Sequence, residues 1–292
     1  MLAVMGCGEV GLLYARALRQ AGQAITLCDP KPREEVKLWA AREGIALHPS
    51  SGSWLADADV VVSCVVGSLS LAVARRGFRD MRSDTLFIDM TTSDPDEIRA
   101  AAAEAAAADI LYADVAIMGA VALSGARTHL LVAGTGAPAA TRLFGAIDAP
   151  IRAITAGAGD AAALKLLRSV FTKGLEALAI ETFLAAERQN VTDALYDVLG
   201  DIDRNPLRNT LEVLIRTHVI HAARRLNEVE EAERQLRKAG LPADVLPGVR
   251  ARFERTSASL ARRPSIDRIP SIGEAFAWLD EDARASSGAM VS

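Results

Sequence analysis

Three glycines, one aspartate and one lysine carry the chemistry that can be read from this chain. Gly6, Gly8 and Gly11, in MLAVMGCGEVG, have the spacing of a turn that receives phosphates. The first glycine permits a tight turn, the second lets a pyrophosphate approach the backbone, and the third lets the next helix pack on its strand. The phosphates then meet free amides at a helix N-terminus. Asp29 ends AITLCD, near the separation of roughly 20 residues at which an acid reaches a ribose. A carboxylate there accepts from both ribose hydroxyls and repels a 2′-phosphate, which favours NAD over NADP. Lys31 and Arg33 follow closely and could answer a phosphate.

Lys165 lies in DAAALKLLRSVFTKGLEAL. On a helical wheel of about 100° per residue it shares a face with Ser169, Thr172 and Glu176, flanked by Arg168 and Lys173, while Leu164, Leu167, Val170, Phe171 and Leu178 point mostly elsewhere. Such a stripe is either a solvated edge or the wall of a cleft. In a cleft, burial and a neighbouring cation such as Arg168 lower a lysine's pKa, and the amine can take a hydroxyl proton and return it. Further on, His221, Arg225 and Glu228 share a helix face beside Arg224. They form either a salt-bridged surface or a grip on an acidic group. His218 and His221 lack a third ligand, so no metal site is expected.

The elements that must position these residues follow from periodicity. Short β-branched runs (LAVM, AITLCD, DVVVSCVV, TLFIDM, ILYADV, HLLVAG) alternate with amphipathic segments from Met1 to about Pro150, the pattern of βαβ units and a parallel sheet covered on both faces. LAVM, the glycines and VGLLYARALRQAG supply the strand, turn and helix in the required order. After Gly159 the pattern becomes helical to about Leu279. The expected architecture is a Rossmann-type, doubly wound, mostly parallel α/β domain over 1–156, an all-α domain over 157–282 and a disordered tail over 283–292.

Half of the 292 residues are hydrophobic and the formal net charge is −4, so a large core is available and no basic face invites nucleic acid. No apolar run reaches the roughly 18 residues of a membrane span, and no basic leader opens the chain. A cytoplasmic protein without a membrane partner is expected. Cys7, Cys28 and Cys64 lack paired or zinc-binding spacing and are expected to be reduced.

Three further segments, with the glycine loop, resemble the β-hydroxyacid dehydrogenase family, which includes 3-hydroxyisobutyrate and 6-phosphogluconate dehydrogenases. FIDMTTSDP (87–95) is similar to its strand, threonine and helix start. DVAIMGAV (114–121) is similar to its substrate loop, with Met118 where the family has serine and Ala120 where it has a second glycine. GAGDAAALKLLRSVF is similar to the helix of its catalytic lysine, with Ser169 in place of a common asparagine. The resemblance implies cofactor contacts from Gly6, Cys7, Gly8, Glu9, Val10, Gly11, Asp29, Val65, Val66 and Thr91. It implies Lys165 as general acid/base, and a substrate site drawn from Met118, Gly119, Ala120, Arg168, Ser169, His221 and Arg225. It also implies a homodimer formed through the helical domain. The expected function is NAD(P)-dependent interconversion of an alcohol and a carbonyl, on a β-hydroxy acid or related small molecule. The alternatives are an imine reductase on the same scaffold, whose members usually replace the lysine, and a non-catalytic NAD-binding dimer.

Overall fold

The computed structural model describes residues 1–263 and 268–288. In chain order it contains β1 (Leu2–Met5), α1 (Glu9–Gln20), β2 (Ile25–Cys28), α2 (Glu34–Glu43), β3 (Leu47–His48), β4 (Val60–Ser63), α3 (Ser70–Asp80), β5 (Leu86–Asp89) and α4 (Pro95–Ala107). There follow β6 (Leu111–Ile117), α5 (Val121–Ser124), β7 (Leu130–Ala133), α6 (Ala137–Gly145), β8 (Ile151–Ala153), α7 (Asp160–Arg188), α8 (Thr192–Asp203), α9 (Leu207–Lys238), α10 (Leu246–Arg262) and α11 (Ile272–Gly288).

The strands form one sheet in the order β3-β2-β1-β4-β5-β6-β7-β8, parallel except where β7 runs against β6. Strand β1 shows why LAVM reads as a continuous apolar run. Leu2 and Val4 enter one core layer, with Leu12, Leu18 and Phe144, while Ala3 and Met5 enter the other, with Phe87, Ile98 and Tyr112. Each fully buried large aliphatic side chain contributes roughly 1.5–3 kcal/mol. Strand β7 leaves β6 through the short helix α5 and returns beside it in the opposite direction. Strands β3 and β8 are additions to the sequence pattern. At two and three residues, neither is long enough to show a period.

Two compact units divide at Val170 and Phe171, inside α7, whereas the glycine-bearing loop at 155–159 is where composition changes. The cause is packing. Ala161 and Ala162 are buried in the apolar clusters of the first unit, so the opening turns of α7 belong to the sheet domain. In the second unit, α8 to α11 and the end of α7 are all helical. The interior there is strongly polar: Glu181 accepts from the amides of Asp244 (2.7 Å) and Val245 (2.8 Å), and Glu233 pairs with Arg250 at 3.0 Å. The expected disordered tail is helical as far as Gly288; 289–292 lie outside the described residues. No helix among the described residues is long and apolar enough to cross a membrane.

Candidate active site

Strand order places a crevice at the carboxyl ends of β1 and β4, where the connections leave in opposite directions, the location at which open α/β sheets receive ligands. Gly6 turns the chain out of β1 with φ +83°, a left-handed conformation that favours glycine. A Cβ on Gly11 would stand 1.9 Å from the Gly6 carbonyl oxygen and 3.2 Å from Cys64 Cβ, so helix and turn can meet only with glycine there. Gly8 differs from both. Its φ is −66° and a Cβ would meet nothing within 4 Å. The protein's own packing does not demand glycine at position 8, which leaves open space over the first amides of α1. Cys7 is buried, whereas Glu9 and Val10 begin α1 at the rim of this cradle.

The structure brings Asp29 to the same place. Its Oδ2 accepts from the Cys7 amide at 2.7 Å and its Oδ1 from the Lys31 amide at 2.8 Å, which fixes the carboxylate at the mouth beside the glycine turn. Lys31 and Arg33 are exposed. Beyond β4, Val65 is half-buried against Gly6, where a glycine Cβ would come within 2.9 Å of its Cγ1, and Val66 is exposed. A cavity of about 120 Å³ opens among Gly6, Cys28, Pro30, Val65, Val73 and Arg76. Sequence reasoning misses Arg76, which sits on the polar side of α3 with no motif around it.

At the end of β5 a buried carboxylate organises the loop that meets Lys165. Asp89, 1% exposed, accepts from Ser70 Oγ (2.6 Å) and Tyr112 OH (2.8 Å) on Oδ2, and from the Thr91 amide (2.8 Å) and Thr91 Oγ1 (2.6 Å) on Oδ1. The loop so fixed presents Thr92 at φ +52°, an uncommon conformation for a β-branched residue. Thr92 Oγ1 accepts from Lys165 Nζ at 3.0 Å. Lys165 is half-buried, and burial lowers its pKa from the ordinary lysine value. Arg168, named above as a neighbouring cation, is exposed; burial supplies the shift.

A second buried carboxylate holds the helix that carries Lys165. Asp114 Oδ2 accepts from the amides of Gly159 (2.9 Å) and Ala162 (3.1 Å) at the start of α7. Burial raises its pKa to about 6, partly offset by these amides. Asp160 is the first residue of α7 and pairs with Arg99 at 3.1 Å. At α4, Asp94 caps the helix by accepting from the Asp96 amide at 2.8 Å, while Glu97 takes the Ser93 hydroxyl (3.0 Å).

The expected substrate residues fare unevenly. Met118 packs into a cluster with Ala116, Leu131, Ala133 and Ala161, so its side chain serves the junction between β6 and α7. Gly119 and Ala120 are exposed just beyond it. Ser169 donates to the Lys165 carbonyl at 3.0 Å and so spends its proton inside the helix. His221 and Arg225 lie on α9 of the second unit: His221 is exposed, whereas Arg225 is half-buried and donates to Thr217 Oγ1 at 3.0 Å. No group of three or more His, Cys, Asp or Glu side chains among the described residues has metal-binding geometry.

The cradle at Gly8, the fixed carboxylate of Asp29 and the crevice between β1 and β4 fit a dinucleotide. Comparison with known proteins agrees. Residues 1–171 match the NAD binding domain of 6-phosphogluconate dehydrogenase, and the chain belongs to that family. Residues 186–256 match a domain of unknown function, DUF1932. Among individual relatives, the chain is 28% identical over 207 residues to a probable 3-hydroxyisobutyrate dehydrogenase of Mycobacterium tuberculosis, covering 68% of each chain. It is 22% identical to an uncharacterized 28.5 kDa protein of Methanothermus fervidus over 80% of this chain and 89% of that one. A solved conserved protein of unknown function, described as structurally similar to 3-hydroxyacid dehydrogenases, aligns with TM-score 0.62 and 26% identity over 89% of this chain and 98% of its own. An imine reductase from Aspergillus terreus aligns with TM-score 0.71 at 18% identity over 88% and 93%, a likeness of fold alone.

Proposed function

We propose that this protein is a nicotinamide-dependent oxidoreductase that interconverts an alcohol and a carbonyl, with Lys165 as general acid/base. The observation that carries the reading is the half-buried Lys165 Nζ, held 3.0 Å from Thr92 Oγ1 at the end of β5. A bound nicotinamide supplies the hydride acceptor and donor. In oxidation, the neutral Nζ takes the substrate's hydroxyl proton; in reduction, the ammonium returns it. Burial keeps the neutral form accessible, and the Thr92 hydroxyl orients the amine without neutralising it. Gly6, Gly8 and Gly11 leave room for the pyrophosphate, and Asp29 receives the ribose. Asp29 favours NAD, because a 2′-phosphate would meet its carboxylate.

Exposed Gly119 and Ala120 offer backbone amides to the substrate, with Arg168 as an accessible cation on α7. With Met118 packed into the β6–α7 junction, this loop offers no side-chain hydroxyl to the substrate. Retention of Lys165 favours alcohol chemistry over imine reduction. We also propose a homodimer through the helical domain. Leu167, Val170 and Leu175 on α7, and Tyr196 and Val198 on α8, are 53–75% exposed, a density of apolar surface that monomers rarely leave uncovered.

A screen of β-hydroxy acids and related alcohols with NAD and with NADP, following reduced nicotinamide, tests the activity. Turnover with NAD exceeding that with NADP is expected. Cofactor binding with no turnover on any alcohol or carbonyl would instead support a binding protein. Sedimentation velocity tests the dimer.

A further inference from the structure

The second unit contains a cavity of about 470 Å³ between α9, α10 and α11, within the size range of small-molecule sites. Leu214, Ile215, Phe253 and Leu279 give it apolar walls; His218, Arg225 and Arg252 supply its polar groups. The two cations differ in their partners. Arg225 donates to the neutral hydroxyl of Thr217, and no carboxylate among the described residues pairs with it. Arg252 forms a long ion pair with buried Asp282 Oδ2 at 3.4 Å, and Ser259 Oγ donates to the other oxygen. His218 adds no charge: its Nε2 lies 2.9 Å from Thr256 Oγ1 and its ring stands edge-on to Phe253.

A half-buried guanidinium in an apolar cavity, without a carboxylate of its own, is an arrangement that an organic anion completes. We propose that this cavity binds a small carboxylate with an apolar body, its carboxylate on Arg225 and Arg252 and its hydrocarbon against Leu214, Ile215 and Phe253. The site stands independently of Lys165 and of the oxidoreductase reading. It also replaces the pairing suggested by helix periodicity, since the groups that share the cavity with Arg225 are His218 and Arg252 rather than the exposed His221.

The electrostatics agree. Burial first, then the guanidiniums of Arg252 and Arg225, push His218 down to about 4, against the opposing pull of Asp282. A carboxylate bound beside those guanidiniums offsets their field, so His218 titrates at higher pH when the site is filled.

The test uses the full chain carrying Lys165→Ala, without nicotinamide, and hexanoate as the probe, with acetate and hexan-1-ol as controls. Affinities come from ligand-observed NMR, and the His218 imidazole resonance is followed across pH, assigned by its loss in His218→Gln. Hexanoate is expected to bind at least about 10-fold more tightly than either control, because it alone uses both halves of the site. It should raise the His218 midpoint and bind at least about 10-fold more weakly to Arg225→Gln. Arg225→Gln is preferred to an Arg252 variant, which would also break the ion pair to buried Asp282. Hexan-1-ol matching hexanoate, an unmoved His218 resonance, undiminished binding to folded Arg225→Gln, or no binding of hexanoate would each overturn the proposal.

Discussion

Lys165 Nζ donates to Thr92 Oγ1 across 3.0 Å, and the two residues reach that contact from opposite kinds of structure. Lys165 comes from the second turn of a long helix pinned by Asp114; Thr92 comes from a left-handed turn pinned by Asp89. Two buried carboxylates thus set a separation that neither the helix nor the strand sets alone. That gives the amine a fixed position before any substrate arrives, the condition under which proton transfer gains most from geometry.

The pH dependence follows from burial. Alcohol oxidation requires the neutral amine, so its rate should climb as pH rises through the Lys165 pKa, with a midpoint below the ordinary lysine value of about 10.4. Carbonyl reduction requires the ammonium and should decline through the same midpoint. Thr92→Val removes an acceptor that favours the charged form and leaves the burial in place, so both midpoints should move to lower pH. Profiles of kcat/KM in both directions check this, and an unmoved midpoint in Thr92→Val would separate the hydroxyl from the amine's titration.

The two glycines of the cradle should respond differently to alanine. Gly11→Ala drives a Cβ into the Gly6 carbonyl and should destabilise the fold by more than about 2 kcal/mol. Gly8→Ala meets open space, so its stability should stay within about 0.5 kcal/mol of the parent, while NAD affinity falls roughly 10-fold or more. Thermal melts with and without NAD distinguish the two effects.

Asp114 should titrate near pH 6. Its folded pKa is raised above the unfolded value of 3.8, chiefly by burial, so its stabilising contribution is fully present below the unfolded value and is lost as pH rises through about 6. The stability difference between the parent and Asp114→Asn should therefore shift toward the variant between about pH 4 and pH 7 and then level off. Denaturant unfolding across that range measures it; a flat difference would mean that Asp114 ionises as freely as in water.

Fixing Thr91 should matter more to turnover than to folding. Thr91→Val removes the hydroxyl that donates to Asp89 Oδ1 at 2.6 Å and leaves the amide donor in place. A cost near 1 kcal/mol in stability is expected for the lost hydrogen bond, with a several-fold fall in kcat as the Thr92 turn loosens. Equal kcat in a folded variant would show that the amide alone positions the turn.

Residues whose roles depend on local order could be read directly from the chain. Gly6, Gly8, Gly11 and Asp29 follow one strand, turn and helix, whereas the stripe around Lys165 fits a solvated edge as well as a cleft wall, and the family resemblance is what singles out the lysine. The sheet was legible from local order too, except for β3 and β8, which are shorter than the period that would reveal them. Asp89 was not legible, because Ser70, Tyr112 and Thr91 converge on it from three elements and none of them marks the others in sequence. Periodicity puts His221 on one face with Arg225 and Glu228, and only the packing of α10 shows that His218 turns inward, against Thr256 and Phe253. Met118 was assigned to the substrate because of the loop it occupies, and the cluster around Ala161 accounts for its apolar side chain.

The most direct test is turnover by Lys165→Ala, measured on an alcohol that the parent oxidises and paired with NAD affinity on the same preparation. The account predicts a fall in kcat of about 10²–10⁴, the range that a positioned general base supplies, with NAD dissociation constants within about 3-fold of the parent, since that change is under 1 kcal/mol. Turnover within a few-fold of the parent, with the cofactor still bound, would contradict it.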